Sequence, residues 1–82
     1  MSYEKLLQAN HLIIGTKQTL KALEEGIVSE VIIARDAERR VIYKVEDLAK
    51  TKEIPIVYVD SIKKLGKACG IEVGAATVAL RK

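Results

Sequence analysis

Four short apolar runs alternate along this chain with stretches of helical periodicity, and that alternation is the strongest constraint on its fold. Leu12 to Ile14 ends at Gly15, Glu30 to Ala34 reads Glu-Val-Ile-Ile-Ala, Pro55 opens Ile56 to Val59, and Thr77 to Leu80 closes the series. Each run is too short for a helix and rich in β-branched residues, so each reads as a strand. Between them, Lys17 to Glu25 puts Leu20, Leu23 and the following Ile27 on one helical face, with Thr16 as the expected cap and Gly26 just past the end. Val41 to Lys50 turns Val41, Val45, Leu48 and Ala49 inward, and Ser61 caps a helix from Ile62 to Cys69 that Gly70 closes. A further helix, Tyr3 to Asn10 behind Ser2, precedes the first strand, and Arg35 to Arg40 forms a charged connection.

Strands this apolar are expected to be covered on both faces. The pattern therefore predicts a single α/β domain over residues 1–82, a three-layer α/β/α sandwich on a four-stranded mixed sheet. With 82 residues and one cysteine, no internal disulfide can staple it. There is no Phe or Trp, so the core must be built from Ile, Leu, Val and Ala. No basic, apolar leader opens the chain and no apolar run nears the ~20 residues of a membrane span. A lone thiol suits a reducing compartment, which makes the cytoplasm the expected location.

Catalytic chemistry finds little to work with. One histidine, His11, and one cysteine, Cys69, cannot fill a tetrahedral zinc site, so no metal is expected. Cys69 follows Leu65 on the apolar face of its helix, where packing is the plainer reading than reactivity. Gly15-Thr16-Lys17 resembles a phosphate loop only superficially: Lys and Thr are in the wrong order, and Asn10 stands where the first glycine belongs. Gly66, Gly70 and Gly74 are spaced by four in a segment too polar for a membrane helix pair. No catalytic residue and no cofactor is assigned.

Charge is distributed more tellingly than its total of +3. Residues 15–21 and 61–74 hold Lys17, Lys21, Lys63, Lys64 and Lys67 against one acid, Glu72, a net of +4 in 21 residues. The other 61 residues carry nine basic and ten acidic side chains. On helices, Lys17, Gln18 and Lys21 share one polar face and Lys63, Lys64 and Lys67 another. Like charges at such spacing cost a few tenths of a kcal/mol per pair, so folding does not call for them. Solvated lysine faces are the plain alternative, and charge alone does not choose between the two. Gly66 lies on the lysine side of its helix, where it either opens the backbone beside the charge or permits close packing; in a helix it costs ~1 kcal/mol relative to Ala. Gly15 hands the chain to a helix start, whose free N–H groups and dipole favour phosphate.

Two segments, Ile14-Gly15-Thr16-Lys17-Gln18-Thr19-Leu20-Lys21-Ala22-Leu23 and Leu65-Gly66-Lys67-Ala68-Cys69-Gly70-Ile71-Glu72-Val73-Gly74-Ala75-Ala76, closely resemble the kink-turn-binding ribosomal proteins of the L-seven-Ae and L-thirty-e type. The resemblance runs over essentially the whole chain and looks closest to the short ribosomal-protein-like members of bacilli. It implies the same α/β/α sandwich, an RNA partner, and contacts through the start of the second helix and a late loop. The family's helix motif is Gly, any residue, Asn, Glu, then Lys three positions on. Gly15 and Lys21 match it, while Lys17 and Gln18 replace Asn and Glu, as in the L-thirty-e branch.

By resemblance, Gly15, Thr16, Lys17, Gln18 and Lys21 would face the tandem sheared G·A pairs of a kink-turn; from their charge, Lys63, Lys64 and Lys67 are expected to meet its backbone or attract it generally. Ile71, Glu72 and Val73 match the apolar loop that packs on extruded nucleotides. Bent RNA unstacks bases, and unstacked bases are what proteins read most readily in RNA. The expected partner is kinked RNA, whether ribosomal RNA, a riboswitch or another structured RNA, bound by a monomer that need not stay on the ribosome. The alternative is a small α/β protein-interaction or ligand-binding module with solvated lysines. A redox or transferase role for Cys69 is a third and thinner reading. Exposure of the Ile71-Glu72-Val73 loop would favour RNA; its burial would favour the alternative.

Overall fold

The computed structural model describes residues 12–82. The expected Tyr3 to Asn10 helix, its Ser2 cap and His11 lie outside the described residues. The described elements are β1 (Leu12–Ile14), α1 (Thr16–Glu25), β2 (Val28–Ala34), α2 (Arg39–Thr51), β3 (Ile56–Val59), α3 (Ile62–Ala68) and β4 (Thr77–Arg81). They build one mixed sheet in the order β1-β4-β2-β3, with β4 antiparallel to both neighbours and β2 parallel to β3.

Strand alternation sorts the core into two layers, one on each face of the sheet. Val31 and Ile33 of β2 point toward α1 and α2, where they pack with Ala22, Leu23, Val45 and Ala49. Ile32 and Ala34 point the other way, onto Leu65 of α3 with Val59, Val78 and Leu80. The sandwich therefore has α1 and α2 on one face and α3 on the other, as the apolar pattern implies. Ile32, Ile33, Val31 and Leu65 have no exposed surface, and the buried hydrophobic residues among those described are all aliphatic.

Several boundaries differ from the sequence reading, each for a physical reason. β2 begins at Val28 rather than Glu30, because a register shift between Val28 and Glu30 interrupts the alternation at exposed Ser29. The Ser29 hydroxyl donates to the Leu80 carbonyl at 3.1 Å and holds that irregularity. α2 begins at Arg39 rather than Val41, since exposed Arg39 and Arg40 add a first stretch of helix without any apolar signal. The expected Thr16 cap is not formed. Gly15 occupies the cap position of α1, no side chain caps that helix, and Thr16 already belongs to its first turn.

Candidate nucleic-acid interface

β1, β2 and β3 all end where β4 begins, so one end of the sheet collects the functional segments. The Gly15 N–H donates to the Thr77 carbonyl at 2.9 Å and the Ala34 N–H to the Ala76 carbonyl at 2.9 Å. The Arg35 N–H reaches the Val59 carbonyl at 2.9 Å, and the Asp36 carboxylate accepts from the Ile62 N–H at 2.8 Å. These bonds tie residues 15–18, 34–38, 59–62 and 75–77 into a single rim. In open α/β sheets the carboxyl ends of the strands are where ligands sit.

At the start of α1, Gly15 has φ 111° and ψ 151°, a region essentially reserved for glycine. A Cβ there would also collide with the side-chain amide oxygen of Gln18, which folds back over it. The geometry turns the chain sharply from β1 into α1 and leaves Lys17, Gln18 and Lys21 exposed. Thr16 points its hydroxyl toward the Thr77 hydroxyl at 3.4 Å, a long contact that faces β4. With no side-chain cap and no acid in the first turn, the opening N–H groups of α1 keep their positive dipole end uncompensated.

Across the sheet, Ser61 caps α3 by accepting from the Lys64 N–H at 3.1 Å. Lys63, Lys64 and Lys67 are exposed. Lys64 Nζ lies 3.7 Å from Asp60, an exposed ion pair that contributes little to stability. Gly66 does not open backbone toward these lysines: it is buried, and a Cβ on it would strike the Val73 carbonyl oxygen and the Gly74 Cα. Close packing is its role, here of helix against loop. A Cβ on Gly74 would in turn strike the Ile62 side chain, and the Ala75 N–H donates to the Ile62 carbonyl at 3.1 Å.

The loop after α3 is thus pressed onto its own helix. Ile71 is half-buried against the α3-side core, whereas Glu72 is exposed and Val73 leaves 71% of its surface free. Of the two apolar residues assigned to this loop, Val73 supplies the open surface and Ile71 mainly anchors it. Cys69 packs partly against the same core, and burial pushes its thiol up, against thiolate formation.

Gly15 and Thr16 contact Thr77, the first residue of β4 after the loop, while Lys17, Gln18 and Lys21 are exposed on α1 beyond them. Lys63, Lys64 and Lys67 stand on α3, which covers the opposite face of the sheet from α1 and carries the loop. Sequence reading assigned Arg35, Asp36 and Arg40 only to a charged connection and gave Lys44, within the following helix, no role. Arg35 stacks over the Tyr58 ring at 5.3 Å, and the Tyr58 hydroxyl donates to the Glu46 carboxylate. That hydrogen bond first, then burial, pushes the Tyr58 phenol up. A cleft of about 390 Å³ runs between α1 and α2, with Lys17, Arg40 and Lys44 among its lining. Among the described residues no group of three or more His, Cys, Asp or Glu could hold a metal ion, and no helix is long and apolar enough to cross a membrane.

Known proteins share both sequence and architecture with this chain. An RNA-binding protein of Halalkalibacterium halodurans is 72% identical over 82 residues, covering 100% of each chain. An RNA-binding protein of Geobacillus thermodenitrificans is 59% identical over 80 residues, covering 98% of each. Among solved structures, a 15.5kD RNA binding protein of Giardia lamblia superposes with a TM-score of 0.86 at 25% identity, covering 98% of this chain and 68% of that one. Residues 2–82 match a single family from end to end, and this chain belongs to it: the Ribosomal protein L7Ae/L30e/S12e/Gadd45 family.

Proposed function

We propose that this protein binds RNA, recognises a kinked helix-loop element with sheared G·A pairs, and stabilises its bent form without catalytic turnover. The observation that carries this reading is the junction at Thr77, where the uncapped start of α1 is bonded to the first residue of β4, four residues after exposed Val73. That junction offers two chemistries side by side: polar and cationic groups for base edges and phosphates, and apolar surface for unstacked bases. The relatives described as RNA-binding proteins support the same partner class.

Within this reading Lys17 and Gln18 contact base edges, where Lys can donate to guanine O6 and N7. Gly15 lets the backbone approach closely, while Thr16 and Lys21 flank the contact. Val73 packs on extruded bases from a loop anchored by Ile71, with Glu72 as an acceptor toward the RNA. Lys64 and Lys67, on the other flank, attract the backbone at longer range. Ribosomal RNA, a riboswitch or another structured cytoplasmic RNA would present the required kink, and the chain would engage it as a monomer. A gel shift comparing a kink-turn RNA with the same RNA carrying disrupted G·A pairs tests the reading. The intact RNA should bind more tightly by at least tenfold, an estimate based on losing one good base contact; equal binding overturns it.

A further inference from the structure

The cleft between α1 and α2 shares Thr16 and Lys17 with the contacts proposed so far, and the rest of its lining has no part in them. Its wall combines half-buried Leu20 and Val41 with the cations Lys17, Arg40 and Lys44, against one acid, Glu38. Apolar wall plus excess positive charge is the chemistry of a nucleotide: a base that shuns water and a phosphate that seeks cations. At about 390 Å³ the cleft falls within the size of small-ligand pockets, roughly 300–1,000 Å³, and is too small to take a duplex.

The cations are free to act. Glu38 and Arg40 approach only to 4.0 Å, and both side chains are mostly exposed. Arg40 and Lys44 stand four apart on one helix, an arrangement that folding does not favour. Tyr43, outside the cleft's lining but three residues on from Arg40 along the same helix, stands 54% exposed, one of two large hydrophobic side chains left open among the described residues. An exposed aromatic beside cations is the platform on which single-stranded bases stack.

We propose that Arg40, Lys44 and Tyr43 form a second RNA seat, which takes a single-stranded nucleotide segment flanking the element bound at the α1 start and the loop. This rests on the function proposed above and extends its footprint over the first half of α2. Lys17 lines the cleft and also opens α1, so a strand leaving the kinked element can enter the cleft without crossing bare surface.

The test compares two RNAs: a minimal kinked duplex, and the same duplex with a short single-stranded extension on either arm. The unaltered chain should bind one extended form about tenfold tighter, the gain expected of one stacked base or one to two phosphate contacts. The double variant Arg40→Gln, Lys44→Gln should bind both RNAs alike, at the affinity the unaltered chain shows for the minimal one. Tyr43→Ala should lose part of the gain. Circular dichroism of each variant should match the unaltered chain, since all three positions are exposed.

No preference for any extension, or a preference that survives the double variant, overturns the proposal. Equal loss on both RNAs also overturns it, because the seat would then belong to the primary contact. If a nucleoside monophosphate binds through Arg40 and Lys44 while extension gains nothing, the cleft takes free nucleotides and the RNA seat falls. Failure of the function proposed above looks different: the unaltered chain would bind the minimal RNA no better than its G·A-disrupted form, and the flanking seat would fall with it.

Discussion

The carbonyl oxygen of Val73 fills the space in which a Cβ on Gly66 would stand. Helix α3 and the exposed loop thus meet backbone to backbone, with no side chain between them at residue 66. Neither neighbour can be swung aside like the end of a flexible side chain, so substitution there must move the loop or the helix.

Gly66→Ala should therefore destabilise the protein although alanine is the better helix former. Overpacking costs about 1–3 kcal/mol, against a gain of ~1 kcal/mol in helix propensity. A net loss of up to about 2 kcal/mol in urea unfolding is expected, with weaker RNA binding as the loop shifts. An unchanged or raised midpoint would show that the loop has room the structure does not give it.

Reading and gripping should separate by mutation. Gln18→Ala removes a group assigned to base edges and should erode discrimination between intact and disrupted G·A pairs by ~1–3 kcal/mol. Lys64→Ala should weaken both RNAs about equally, because phosphates carry no sequence information. Its effect should be small, since Lys64 lies on the far flank beside Asp60. If Gln18→Ala leaves the ratio of the two affinities untouched, the start of α1 is a phosphate seat only.

Affinity should fall steeply with salt. Each phosphate neutralised by Lys17, Lys21, Lys64 or Lys67 should add roughly 0.7–0.9 log units of loss per tenfold rise in salt. A flat dependence would remove the lysines from the interface whatever the affinity at low salt.

Ionisation of Cys69 and Tyr58 should weaken the fold at alkaline pH. Burial raises the Cys69 thiol, while the Glu46 hydrogen bond and burial raise the Tyr58 phenol. In both cases the folded state holds the neutral form, so their contribution is complete below the ordinary thiol and phenol values. It is lost as pH rises through the raised ones. Thermal unfolding should show a midpoint that declines above the normal cysteine range. Iodoacetamide should label Cys69 more slowly in native than in urea-unfolded protein at pH 8, and equal rates would contradict the burial.

The strands were legible because β-branched runs bounded by Gly15 and Pro55 have few other readings. The helices α1 and α3 were legible from Leu20, Leu23, Ile62 and Leu65. What escaped was whatever depends on partners distant in sequence. The pairing of Val28 with Arg81 across the bulge at Ser29 leaves no periodic trace, so the start of β2 was read too late. Thr16 looked like a cap because its hydroxyl could serve, but the fold turns it toward Thr77 and gives Gly15 the cap position. Gly66 read equally as an opening for ligand or as a packing site, and only the returning loop decides. Arg40 and Lys44 gave no signal, since the cleft they line exists only once α1 lies beside α2.

The bracing of the loop has a consequence for how strength of binding would be measured. Ala75 on Ile62 and Ala76 on Ala34 fasten the segment behind Val73 before any RNA arrives. Under the proposed function that segment is set in advance, and the work of bending would fall on the nucleic acid. For an RNA that is bent only a fraction of the time, the apparent dissociation constant is the intrinsic one divided by that fraction. The same chain would look tight against one transcript and weak against another with an identical contact surface. The difference would reside in how often each RNA bends unaided.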